Sequence, residues 1–184
     1  MHASPRERRL PARRRSAWPS FAAALLLALA ACGGEKEPEA SPLPAGVTAI
    51  AADARIAMPA PGRSACQPAS TRKVFRMDAE WNGFWEYGFA AGCPRPQLPA
   101  GFDWSREMIV LAAMGKRGSP ADSIVVRGSG VVGDSVLVVL RRTSRQDGCA
   151  EPTAQVWPRD LVRIPADKRP VRFVEEQRKL PCPQ

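Results

Sequence analysis

The sequence predicts a mainly β fold: a small antiparallel β-sandwich or barrel-like domain with one short α-helix and two disulfides. Three observations point there. From Lys73 onward the apolar and β-branched residues fall in short runs separated by Gly, Pro and Asp breaks, the pattern of strands. A single stretch, Trp81, Phe84 and Trp85, has the i, i+3, i+4 spacing of a helical face. Four cysteines follow Cys32, an even number that suits disulfide pairing in an exported chain.

The elements can be taken in chain order. Residues 1–20 are basic and Pro-rich, and Phe21–Ala31 is an unbroken apolar run of eleven. A spanning helix needs about 20 apolar residues, so a basic segment followed by so short a run reads as a signal peptide over residues 1–31. Its end, Leu29-Ala30-Ala31-Cys32-Gly33, resembles the lipobox of bacterial lipoproteins, which implies that Cys32 is lipidated and becomes the N-terminus. Several acyl chains, at about 0.8 kcal/mol per buried methylene, give a durable anchor. Gly33 stands where Asp usually signals inner-membrane retention in this class, so an outer-membrane lipoprotein is expected, facing the periplasm or the cell surface. Residues 32–46 are rich in Pro, Glu and Gly without periodicity and read as a solvated tether. Residues 47–184 form the domain, long enough to bury roughly two thirds of its unfolded surface.

Within the domain, Lys73–Met77 is a short strand candidate. Asp78 is positioned as a helix N-cap, with Glu80 in the first turn. Met108–Met114 (MIVLAAM) is apolar on both faces, the pattern of a buried central strand. Ser123–Val132 and Ser135–Thr143 flank Gly133-Asp134, a two-residue hairpin turn. Leu161–Ile164 and Val171–Val174 are expected as a final strand pair, turned back by 165–169. In that arrangement Cys149 lies 18 residues before Asp167 and Cys182 lies 15 after it, both at the open end of one ribbon. The predicted disulfides are therefore Cys149–Cys182 and Cys66–Cys93.

Charge and composition exclude several functions. Lys plus Arg is 27 and Asp plus Glu is 18, a net +9. Removing residues 1–31 leaves 21 basic and 17 acidic residues, net +4, and removes His2, the only histidine. Without histidine a Ser-His-Asp or Cys-His mechanism and a His-based zinc site are unavailable. No CxxC pair offers a thiolate site either. Gly128-Ser129-Gly130-Val131-Val132-Gly133 satisfies G-x-G-x-x-G, but a Val-rich strand stands where the dinucleotide fingerprint needs a helix. Ser70-Thr71-Arg72-Lys73 fits S-x-x-K without its companion motifs. No enzyme, cofactor, metal or nucleic-acid partner is expected. Arg141, Arg142, Arg145, Lys168 and Arg169 form a candidate cationic patch for anionic headgroups.

One constellation goes beyond composition. Trp81 to Trp85, the run Phe102-Asp103-Trp104-Ser105-Arg106-Glu107-Met108-Ile109-Val110, Gly115, Thr153–Pro158 and Leu161–Pro165 together resemble the PrcB C-terminal domain family over about residues 75–173. The resemblance implies a lipoprotein that binds and stabilises an exported protease. One stretch departs from it: Ser119-Pro120-Ala121-Asp122 replaces the T-G-G-Y loop common in that family. The expected function is a non-catalytic envelope lipoprotein that holds a protein partner through Lys116, Arg117, Ser119 and Asp122. The alternative is a small inhibitor-like or ligand-binding β domain acting alone.

Overall fold

The run Met108–Met114 is buried throughout because its strand has a packed layer on each face. In the computed structural model, which describes residues 41–58, 69–87, 95–150, 152 and 154–182, this run forms most of β3 (Glu107–Met114). Met108, Val110, Ala112 and Met114 point to one core, shared with residues such as Ile124, Val126, Val138, Leu140 and Val162. Ile109 and Leu111 point to a second core with Phe75, Trp81, Trp85 and Leu161. A period of two with apolar residues on both faces thus places β3 in the middle layer of three. Cys32, Cys66 and Cys93, with most of the expected tether and the whole leader, lie outside the described residues.

The middle layer is an antiparallel sheet of β2 (Ser70–Phe75), β3 and β6 (Arg159–Pro165), in the order β2-β3-β6. One outer layer is the helix α1 (Asp78–Tyr87). The other is a sheet of β1 (Thr48–Ala49), β4 (Ser123–Val132), β5 (Ser135–Arg145) and β7 (Val171–Leu180), in the order β1-β4-β5-β7. The two sheets do not close on each other, so the fold is a sandwich and not a barrel.

The local signals act largely as expected. The β4–β5 hairpin turns at Gly133-Asp134, with Val132 opposite Ser135 and Gly133 at φ +63°. There glycine removes the strain of a left-handed residue. Asp78 is the first helical residue instead of the N-cap, and Glu80 Oε2 reaches back to accept the Arg76 N–H at 2.7 Å. Trp81 and Trp85 are core, at 1% and 7% exposure. Trp104 is half-buried against the same cluster, edge-on to Phe102 at 4.7 Å.

The last two strands correct the expectation. β6 and β7 do not pair. β6 joins β3 antiparallel, and β7 crosses to the other sheet and runs parallel to β5. Burial demand explains the split. β6 buries Val162 and Ile164 between the sheets and Leu161 under the helix, so it needs cover on both faces. β7 alternates inward Val171 and Phe173 with exposed Arg172 and Val174, which suits an outer edge strand. The parallel register, Arg145 opposite Leu180, carries the chain past both strand ends at one corner. Cys149 and Cys182 meet there as a disulfide, Cα–Cα 5.2 Å. The pairing is the expected one, reached by a different route.

Candidate functional site

The loop singled out from sequence is a braced connector. Arg117 N–H donates to Val156 O at 2.8 Å, Val156 N–H returns to Arg117 O at 3.1 Å, and Ala154 N–H reaches Gly118 O at 3.1 Å. Ser119 Oγ accepts the Ala121 N–H at 3.1 Å and Ser119 O accepts the Asp122 N–H at 3.2 Å, a local turn of the kind Ser favours. Lys116 is exposed, whereas Arg117 is half-buried with its Nε enclosed. Backbone bonds tie Arg117 to Val156 and Ser119 to Asp122, at the sandwich end where β4 begins and β5 and β7 finish.

The expected cationic patch does not assemble. Arg141 lies 3.8 Å from Glu176, Arg142 lies 3.6 Å from Glu175, and Arg145 donates to Pro181 O at 2.8 Å. Lys168 and Arg169 precede the start of β7, while Arg145 sits opposite its last residue, about 30 Å away at strand rise.

Sequence reasoning missed the opposite end. There a cleft of about 470 Å³ opens between β1, the β4–β5 hairpin and the end of β6, within the range of small-ligand and anchor-residue sites. Its apolar lining includes Ile50, Val131, Val136 and Ile164, and Ala49 and Ala54 keep it wide. Val131 and Val132 are 44% and 43% exposed beside it. A bulge in β4, between Val126 and Gly128, sets this geometry. Val126 faces the inter-sheet core, and the bulge shifts the alternation so that Val131, opposite Val136, faces the same side. The bulge is held across the sandwich: Asp160 Oδ2 of β6 accepts the Val126 N–H at 2.8 Å, and Arg55, paired with that carboxylate, donates to Val126 O at 3.0 Å.

Two glycines complete the cleft. A Cβ at Gly130 would lie 1.9 Å from Gly46 O, and one at Gly128 would lie 2.7 Å from Thr48 O and 2.8 Å from Val47 Cγ1. The G-x-G pair therefore admits the segment that leads into β1, so close approach explains the motif. The signal available in the sequence was this pair beside two consecutive valines and a tight turn.

The charged groups at the cleft rim are already engaged. Arg163 lies 3.2 Å from Asp53 Oδ2 and 3.1 Å from Glu107 Oε1. Hydrogen bonds from the Arg169 side chain and backbone hold the Asp167 carboxyl down at about 2. Asp167 is thus ionised at neutral pH and poorly suited to general acid or base work, and the hydroxyls of Thr48 and Ser129 supply the remaining polar lining. The cleft is built to accept an apolar group. Among the described residues no set of three or more His, Cys, Asp or Glu is placed to hold a metal, and no helix is long and apolar enough to cross a membrane. Compared with known protein families, characterised proteins and solved structures, the chain matches none.

Proposed function

We propose that this chain is a non-catalytic envelope lipoprotein whose β domain holds a protein partner, and that the cleft beside Val131 seats an apolar side chain of that partner. The observation that carries the reading is the cleft itself, apolar, rimmed by charges paired within the domain, and flanked by two exposed valines. Such a pocket takes a buried anchor residue, the usual centre of a protein interface. The resemblance to the PrcB C-terminal domain family supports an exported protease as the partner, and the lipobox-like Cys32 supports outer-membrane anchoring toward the periplasm.

Cross-linking in intact membranes, followed by recovery of the chain, tests this reading. A stoichiometric protein is expected from the parent and should be lost from Val131→Asp at unchanged melting temperature. The cleft volume also favours a second reading, a small ligand-binding or inhibitor-like domain acting alone. Recovery of no stoichiometric protein, with saturable inhibition of a purified protease or saturable uptake of an apolar probe, would establish that reading instead.

A further inference from the structure

The four-stranded sheet has two edges of different character. β1 at one end is two residues long, and β7 at the other runs for ten. A long open edge offers its unpaired backbone groups to another strand, and folded proteins blunt such edges with Pro, a bulge or an inward-pointing charge. β7 contains no Pro and keeps an unshifted register with β5. Its inward Glu175 is already paired within the domain, with Arg72 at 2.6 Å and Arg142 at 3.6 Å. Among the described residues no strand lies beyond it.

The register fixes which groups face the opening. Val136 N–H donates to Pro170 O and Gln146 N–H to Leu180 O, both at 2.9 Å. Successive residues of a strand turn their N–H and C=O to opposite sides, so the even-numbered residues from Pro170 to Leu180 serve β5. Val171, Phe173, Glu175 and Gln177 turn theirs outward, and no described residue bonds to those groups.

This row is complementary to itself. Laid antiparallel on a second copy about a two-fold axis at Val174, Val171 pairs with Gln177 and Phe173 with Glu175, all residues with an outward N–H and C=O. The residues between them form non-hydrogen-bonded pairs, whose side chains approach most closely. There Val174, 43% exposed, meets Val174 of the second copy, and Arg172 stands opposite Glu176 on both sides of the axis. Arg172 is exposed, and no described residue pairs with its guanidinium. Glu176 gives Oε2 to Arg127 and Arg141, which leaves Oε1 for the incoming arginine. Moved by one residue either way, the axis would set Val174 against Arg172 or Glu176 and lose both charge pairs. One register is therefore specified.

We propose that the protein forms a two-fold dimer in which β7 pairs with β7 of a second copy and the two outer sheets become one. Pairing consumes the long edge of each outer sheet and leaves only the short β1 edges, so the assembly closes at two copies. An axis perpendicular to the sheet keeps both outer faces on one side. The chain leading into β1 lies on that face, where Ser41 O accepts from Arg127 Nη2 at 2.6 Å. The two N-terminal segments thus leave on the same side, as two anchors in one membrane require. The cleft is lined by β1, at the opposite edge of the sheet, and stays open in the dimer, so this inference stands apart from the proposed anchor site.

The test combines disulfide trapping of the full chain in membranes with its mass in detergent solution. Val174→Cys sets two thiols on a non-hydrogen-bonded pair, with Cα atoms roughly 4.5 Å apart, within disulfide reach. Mild oxidation should link this variant to itself. Val125→Cys, comparably exposed at 36% on β4, should stay single. The unsubstituted chain should have the mass of two protomers after correction for detergent, a result that needs no variant to fold. Val174→Lys and Arg172→Glu each enter the interface twice and should raise the concentration of half-dissociation about tenfold or more. Val131→Asp, in the cleft, should leave it unchanged, so the dimer and the cleft reading fail separately. A monomer mass at every concentration, or equal linkage at positions 174 and 125, would overturn the proposal. So would a photoreactive group at Gln177 that captures a different protein and never a second copy, which would make this edge the dock for a partner's strand.

Discussion

Trp85 stands at the end of a run of aromatic contacts: 5.2 Å from Trp81 and 5.5 Å from Phe84, with Trp81 in turn 5.1 Å from Phe75. It is 7% exposed, so truncation to Ala leaves a cavity that the surrounding rings cannot fill. Trp85→Ala should cost about 3–5 kcal/mol, read as a lower denaturant midpoint at unchanged slope. An unchanged midpoint with loss of a captured partner would instead make the helix the binding face. These tryptophans were legible because helical periodicity records which side chains share a face. Gly130 was not. Its reason is the carbonyl of Gly46, 84 residues earlier in the sequence, and no local pattern registers a contact of that range. The valines of the cleft were hidden in the same way, since a β-strand with a bulge and one without are written in the same residue types.

The strands themselves were legible, and their partners were less so. β3 announced its double burial through seven consecutive apolar residues, and the hairpin announced its turn through Gly133-Asp134. Nothing local distinguishes a strand that returns beside its predecessor from one that crosses to the other sheet, so the parallel placement of β7 emerges only from three-dimensional burial. That placement gives the Cys149–Cys182 bond a defined task. β7 is an edge strand held by β5 on one side, and the disulfide fastens its far end across a separation of 33 residues. Replacing both cysteines by Ala should cost about 3–4 kcal/mol in the chain-entropy model. Amide exchange should accelerate at Gln177–Leu180 before it does in β3. Uniform acceleration through both strands would show that the bond stabilises the whole domain without anchoring this edge. Peptide mapping without reduction should recover the two cysteines in one linked pair.

At the scale of the molecule, one strand belongs to both cores. Met108 and Val110 pack between the sheets while Ile109 and Leu111 pack under the helix, so the helix layer cannot be lost without exposing one face of β3, nor the outer sheet without exposing the other. Two cores joined through a fully buried strand should melt together as one cooperative unit. The tryptophans make this measurable, because Trp81, Trp85 and Trp104 all lie in the helix-side core and the outer sheet contains none. With the other two of the five tryptophans, Trp18 and Trp157, replaced by Phe, fluorescence reports on that core, and far-ultraviolet circular dichroism is dominated by the strands of both sheets. Coincident transitions by the two probes are expected, and Met108→Ala, on the inter-sheet side, should lower both by the same amount. A fluorescence transition that precedes the loss of strand signal would mean that the helix layer opens by itself. In that case β3 would no longer unite the two cores, and the helix surface would become available for contacts that the closed domain forbids.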